Sequence, residues 1–262
     1  MLHEYKRRQM EFEDREWCHY NLQPDVLSPA YRSYFETQCA IGISELVKAG
    51  FAQRDSALIC GVGGGADLQY WLEHLGVGRM VALDFSIEAI RATQRRLRNL
   101  GRADAVEYLK ADIEDIPLQD DSVDLVIASQ VLHHALDPGR ACREMFRVAR
   151  HGVLLLEPAQ TLLTPLLLRV GLARSTEVVG NVVLRFRESD FISYLDGFPC
   201  LVRYRTYLFY DHQLIQRALS RFFGFRGGVT LFKGLYKAVN LCLYPLRSKC
   251  VVLLQKQSPD RT

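Results

Sequence analysis

Net charge is the first thing this sequence has little of. Across 262 residues, 33 Lys and Arg stand against 30 Asp and Glu, a formal balance of +3. That is too small for a surface that binds nucleic acid or acidic lipid by charge, and no nucleic-acid partner is expected. Paired cysteines are missing too. Cys18, Cys39, Cys60, Cys142, Cys200, Cys242 and Cys250 are scattered without CxxC spacing, which argues against a zinc site and a disulfide framework. No metal is expected, and the chain reads as belonging to a reducing, cytoplasmic compartment. No apolar run reaches the ~18–20 residues of a membrane span. Met1 to Asp14 is dense in charge and has no apolar core of a secretory signal. No internal repeat is visible. What remains is an ordinary globular composition, 48% hydrophobic and 24% charged, with apolar material for one large domain.

The chain is organised around Ala57-Leu58-Ile59-Cys60-Gly61-Val62-Gly63-Gly64-Gly65-Ala66-Asp67. This reads as a short buried strand, a glycine-rich turn and a helix with Leu68, Trp71, Leu72 and Leu75 at helical spacing. Glycine lets the backbone take positive φ and approach a ligand without a Cβ in the way. The helix N-terminus beyond it offers free N–H groups to an anion. Such a corner binds nucleotide cofactors in doubly wound α/β sheets, although glycine clusters are also plain turns.

Met80 to Asp84 is a second buried strand ending in an acid. Asp84 is placed either to accept both hydroxyls of a ribose or simply to cap the next helix, a role Ser86 could also fill. Ile87 to Leu100 is a helix with Arg91, Arg95, Arg96 and Arg98, read as a solvated face. Ala105 to Leu109 is a third strand, and Asp112 with Ile113 is either an adenine contact or a turn. Val123 to Ser129 is a fourth strand, followed by His133 and His134 where cofactor and substrate meet beyond strand ends. Each histidine is a candidate for chemistry or for scaffold. Gly139 to Arg150 is helical, and Val153 to Pro158 is a fifth strand. Five strands alternating with helices imply a parallel sheet covered on both faces. Further on, Glu188 to Leu195 reads as a short helix stopped by Gly197, Cys200 to Tyr210 and Cys250 to Leu254 as strands, and Gln213 to Phe222 as a helix capped by Asp211.

The stretches LICGVGGG at 58–65, VALDFSIEAI at 81–90, KADIEDIPLQDDSVDLVIASQVLHHALDP at 110–138 and GVLLLEPA at 152–159 together resemble a family. It is the class I S-adenosylmethionine-dependent methyltransferases, in the small-molecule branch that includes the ubiquinone and menaquinone enzymes. The resemblance covers about residues 55–160. It implies a seven-stranded Rossmann-like α/β sheet with the last strand antiparallel, and S-adenosyl-L-methionine as cofactor. It implies that Gly61, Gly63 and Gly65 pass close to the methionine part and that Asp84 takes the ribose hydroxyls. Phe85 would lie beside the adenine, Asp112 and Ile113 would hold it, and Ser129 would lie near the methionine end. The family usually has an acid two residues before the first glycine, where this chain has Ile59; Asp67 is the candidate to supply that contact.

The division expected is an N-terminal helical cap over 1–54, a cofactor-binding core over 55–160, and substrate-side insertions with the last two strands of the same domain over 161–262. Aromatics in the N-terminal segment would strap the domain or cover the cofactor. His133 is the candidate general base, its ordinary pKa near 6.5 suiting neutral pH, with His134 mainly structural and Tyr20 and Tyr34 as lesser wall candidates. A dehydrogenase is disfavoured because no Tyr has Lys four positions on, and a P-loop because no Lys follows the glycines. The Asn/Asp-Pro-Pro-aromatic motif of amino-group DNA methyltransferases is absent after the fourth strand. A catalytically inactive binding subunit of the same fold stays open. The apolar stretches Thr161 to Leu172 and Val229 to Leu246 either fill core or roof the substrate site. A roof implies a hydrophobic small-molecule acceptor, with O-methylation favoured and a sugar or other polar acceptor as the alternative. Lys233 and Lys237 would suit a headgroup or peripheral membrane contact.

Overall fold

The computed structural model describes residues 7, 10–12, 14–15, 29–51, 54–162, 164–169, 183–207, 222, 231 and 247–257. Seven strands form one sheet: β1 Ser56–Cys60, β2 Arg79–Asp84, β3 Glu107–Lys110, β4 Val123–Ser129, β5 Ala149–Pro158, β6 Cys200–Tyr207 and β7 Lys249–Lys256. Their order across the sheet is β3-β2-β1-β4-β5-β7-β6. β1 to β5 run parallel, and β7 lies antiparallel between β5 and β6. The expected α/β sheet with its antiparallel last strand is therefore present.

The helices are α1 Pro29–Lys48, α2 Ala66–His74, α3 Ile87–Asn99, α4 Pro138–Val148, α5 Thr164–Arg169 and α6 Glu188–Tyr194. Alternate residues of a strand point to opposite faces, and the core divides accordingly. Ala57 and Ile59 of β1 pack with Cys39 and Leu46 of α1, Leu68 and Trp71 of α2, and Leu97 of α3. Leu58 and Cys60 face the other way, toward Met145 and Phe146 of α4 and Phe191 of α6. Burial on both faces explains why the central strands read as continuous apolar runs. Local chemistry sets the helix starts: Ser86 Oγ accepts from Ala89 N–H at 3.1 Å at the head of α3, and Asp137 accepts from Arg140 N–H at 2.9 Å at the head of α4.

Two expectations shift. The helix read to Arg150 ends at Val148, because Ala149 already pairs with Val123 and opens β5 four residues before Val153. Arg96 is not part of a solvated face: it is 8% exposed. The stretches Tyr20, Gln213 to Phe222 and Val229 to Leu246 lie outside the described residues apart from Phe222 and Leu231, as does the side chain of Tyr34. No helix among the described residues is long and apolar enough to cross a membrane.

Candidate active site

The site lies beyond the carboxyl ends of β1, β2 and β4, where the strand order reverses on either side of β1. Gly61 N–H donates to Leu83 O of β2 at 2.8 Å, turning the chain at once across the neighbouring strand. Gly61, Gly63 and Gly65 all take positive φ, at 67°, 49° and 71°. A Cβ on Gly61 would sit 2.3 Å from Val131 Cγ2, so that position needs glycine twice over. Gly65 stands at the start of α2, and a Cβ there would meet Thr93.

Asp84 ends β2 buried. Gly63 N–H donates to its Oδ2 and Ser86 N–H to its Oδ1, each at 2.9 Å. Burial pushes its pKa up to about 6, with those two hydrogen bonds pulling the other way. An ionised carboxylate accepts about four hydrogen bonds. The two backbone donors leave acceptor capacity on both oxygens, and Asp84 lines a cavity of about 530 Å³. That combination fits the two hydroxyls of a ribose, so the residues present fit the cofactor that the resemblance implies.

The same cavity is walled by Gly61, Gly63, Phe85, Asp112, Ile113, Gln130, Val131 and His134. Asp112 lines the cavity and also holds the turn, its Oδ1 accepting from Glu114 N–H at 2.9 Å. Gly65 and Ser129 stand outside this wall; Ser129 Oγ, at the end of β4, is buried without a hydrogen-bond partner among the described residues. Ile59 is buried in the sheet core. Asp67, suggested as its substitute, lies outside the wall and accepts from Leu68 N–H at 2.8 Å at the head of its own helix. Its pKa is pushed up to about 7 by burial and, more weakly, by Asp84. Arg7 and Met10 also line the cavity, and Ser86 Oγ donates to Asp14 Oδ1. The described part of the N-terminal segment thus reaches this cavity through Arg7 and Met10, while none of its described aromatics, expected to strap the domain or cover the cofactor, lines it.

One carboxylate organises the turn after β4. Glu157 of β5 is fully buried. Its Oε1 accepts from the N–H groups of Val131 and Leu132, at 2.9 and 2.8 Å. Its Oε2 lies 2.6 Å from His133 Nδ1. His133 is 7% exposed and stands outside the cavity wall. His134, expected to be scaffold, is the one in the wall, its ring centroid 4.2 Å from that of His133. Gln130 has φ 59°, an uncommon conformation outside glycine. Its backbone N–H and its Nε2 both donate to Leu156 O, at 2.9 and 2.7 Å, and the Lys249 ammonium donates to its Oε1.

Residues 58–156 match the methyltransferase domain family. The chain carries a class I S-adenosylmethionine-dependent methyltransferase domain. Over 91 residues it is 36% identical to the ubiquinone/menaquinone biosynthesis C-methyltransferase UbiE of Pasteurella multocida, covering 34% of each chain. Over 128 residues it is 32% identical to the malonyl-acyl-carrier protein O-methyltransferase of a Marinomonas species, covering 49% of this chain and 46% of that one. The chain thus spans between a third and a half of the length of these relatives. In fold, the chain is similar to the magnesium protoporphyrin IX methyltransferase of Synechocystis, solved with bound SAH. The TM-score is 0.59 at 13% identity, over 92% of this chain and 94% of that one.

The residues that the sequence did not point to include Gln130, Lys110 and Glu114 in the wall, and Glu157 and Arg96 behind it. Glu157 carried a signal, an acid ending an otherwise apolar strand.

Proposed function

We propose that the chain transfers the methyl group of S-adenosylmethionine to a hydroxyl of a small hydrophobic molecule, with His133 as general base. The cofactor supplies a methyl group already activated on a sulfonium. What the chain must add is a bound, aligned acceptor and, for a hydroxyl, a place for its proton. The observation that carries this reading is the pairing of His133 Nδ1 with the buried Glu157 at 2.6 Å. A carboxylate at Nδ1 selects the tautomer with hydrogen on that nitrogen, which leaves Nε2 as the acceptor. Glu157 then orients the ring and stabilises the imidazolium formed when Nε2 takes the hydroxyl proton. The methyl–oxygen bond forms as the methyl–sulfur bond breaks, and the acceptor leaves as its methyl ether or ester. Asp84 with the glycine loop would hold the ribose, and Phe85, Asp112 and Ile113 the adenine.

A hydrophobic acceptor is supported by Leu162 and Leu166, 96% and 54% exposed just past the end of β5. The names of the relatives span C- and O-methylation; both release one proton from the acceptor, and a hydroxyl gives it up from the attacking oxygen itself, where a histidine base serves directly. A second reading has support of its own: His134 stands in the cavity wall, so it could be the group facing the reacting atoms. Mass spectrometry of extracts for a 14-Da gain identifies the acceptor; His133→Asn and His134→Asn then decide between the rings. Loss of roughly 10²–10⁴-fold in turnover for His133→Asn alone, with cofactor affinity kept, is expected. The same loss for His134→Asn alone reverses the assignment. Full activity in both removes base catalysis.

A further inference from the structure

Arg96 and Thr93 lie on the same side of α3, turned away from solvent: Thr93 is 0% and Arg96 8% exposed. Thr93 Oγ1 donates to Gly63 O at 2.8 Å, and Arg96 Nε donates to Gly64 O at 2.7 Å. We propose that Thr93 and Arg96 are positioning residues that hold the glycine loop in the shape that receives the cofactor. This rests on the cofactor reading above and adds to it how the loop is kept in place.

The loop has no side chains of its own between Gly63 and Gly65 with which to make contacts, and glycine backbone is the most permissive there is. Two successive carbonyls are drawn toward α3. Because the peptide unit is planar and trans, fixing the Gly63 carbonyl also turns the Gly64 N–H to the opposite side, away from the helix. The restraint closes on itself. Gly63 N–H donates to Asp84 Oδ2, Ser86 N–H donates to Asp84 Oδ1, Ser86 caps α3, and α3 returns Thr93 to Gly63 O. The acid expected to take the ribose and the loop expected to pass the methionine part are therefore set against each other by the helix. A loop ordered before binding spares the cofactor that ordering cost.

The test uses the full chain, S-adenosylhomocysteine as probe in calorimetry, and melting without ligand. Thr93→Val keeps the shape and removes the donor; Thr93→Ser keeps the donor. Arg96→Met removes the Nε donor while keeping an unbranched stem. Thr93→Val and Arg96→Met should each weaken binding about tenfold, the scale of one lost hydrogen bond to the backbone. Thr93→Ser should restore affinity, and the ligand-free melting temperature should stay within about 3 °C of wild type. Wild-type affinity in both Thr93→Val and Arg96→Met overturns the inference. Equal weakening in Thr93→Ser also overturns it, since packing rather than the hydroxyl would then matter. So does a fall in melting temperature with unchanged affinity in the folded fraction. A wild-type chain that does not bind the probe overturns the cofactor reading, and this inference with it.

Discussion

The two halves of the site are built on opposite plans. On the cofactor side, a backbone loop without side chains is fixed by groups around it: Leu83 O, Asp84, Thr93 and Arg96. On the acceptor side, one buried side chain, Glu157, fixes a backbone turn and a histidine together. The first plan restricts residue type, because only glycine fits where Val131 fills the Cβ position. The second hardly does, because any residue but proline at 131 or 132 offers the same N–H. A loop of the first kind announces itself in sequence; a turn of the second kind is visible only once β5 lies beside β4.

The comparison breaks most sharply at Glu157. Glu157→Ala leaves the N–H groups of Val131 and Leu132 and the Nδ1 of His133 without their buried acceptor. At about 1–3 kcal/mol for each, a loss of about 3 kcal/mol or more is expected in chemical denaturation. A loss under 1 kcal/mol would mean water substitutes and Glu157 is not the organiser. Next is Gly61→Ala, where a strained φ and overlap with Val131 add to about 3 kcal/mol. Gly76→Ala is its control: φ is 67° there too, but nothing lies within 4 Å of the added Cβ, so about 1–2 kcal/mol is expected. Equal losses at the two sites would show that close approach at Gly61 contributes nothing.

Acidity tests the cofactor half from another side. Asp84 and Asp67 rise from an ordinary 3.8 to about 6 and about 7, in both cases chiefly through burial. A carboxyl whose folded pKa lies above its unfolded value destabilises the fold when ionised. Stability of the ligand-free chain should therefore decline as pH rises from about 4 to about 7, by on the order of several kcal/mol. Cofactor affinity should move the other way, strengthening as pH rises through about 6, because the ribose hydroxyls need the ionised acceptor. Melting and calorimetry over the same buffers read both trends; parallel trends would remove Asp84 as the ribose acceptor. Arg79→Ala should do least. Its pairing with Glu107 at 2.8 Å joins the exposed ends of β2 and β3, the side chains 47% and 60% exposed, and about 0.5 kcal/mol or less is expected. A larger loss would mean that the outer edge of the cofactor half is under more tension than its exposure implies.

Much of the sheet was legible because β1, β2, β4 and β5 are buried on both faces and so spell uninterrupted apolar runs. The Gly61–Gly65 loop and Asp84 were legible for the reason just given. The His133–His134 pair was found, but which ring faces the cavity was not, since a turn's direction depends on Glu157 and on the left-handed Gln130. Arg96 was misread because its neighbours Arg91, Arg95 and Arg98 are exposed and share its residue type. Only the position of the loop carbonyls distinguishes it.

The place of β7 has a consequence for how the molecule is made. Among the described strands, β6 pairs with β7 alone, and β7 separates it from β5. During synthesis, five parallel strands can assemble while the outer edge of β5 stays open and β6 has nowhere to dock. That edge carries Leu154, Leu155 and Leu156, a template for pairing with another nascent chain. The strand that arrives last is thus the one that seals the growing sheet against its neighbours on the polysome.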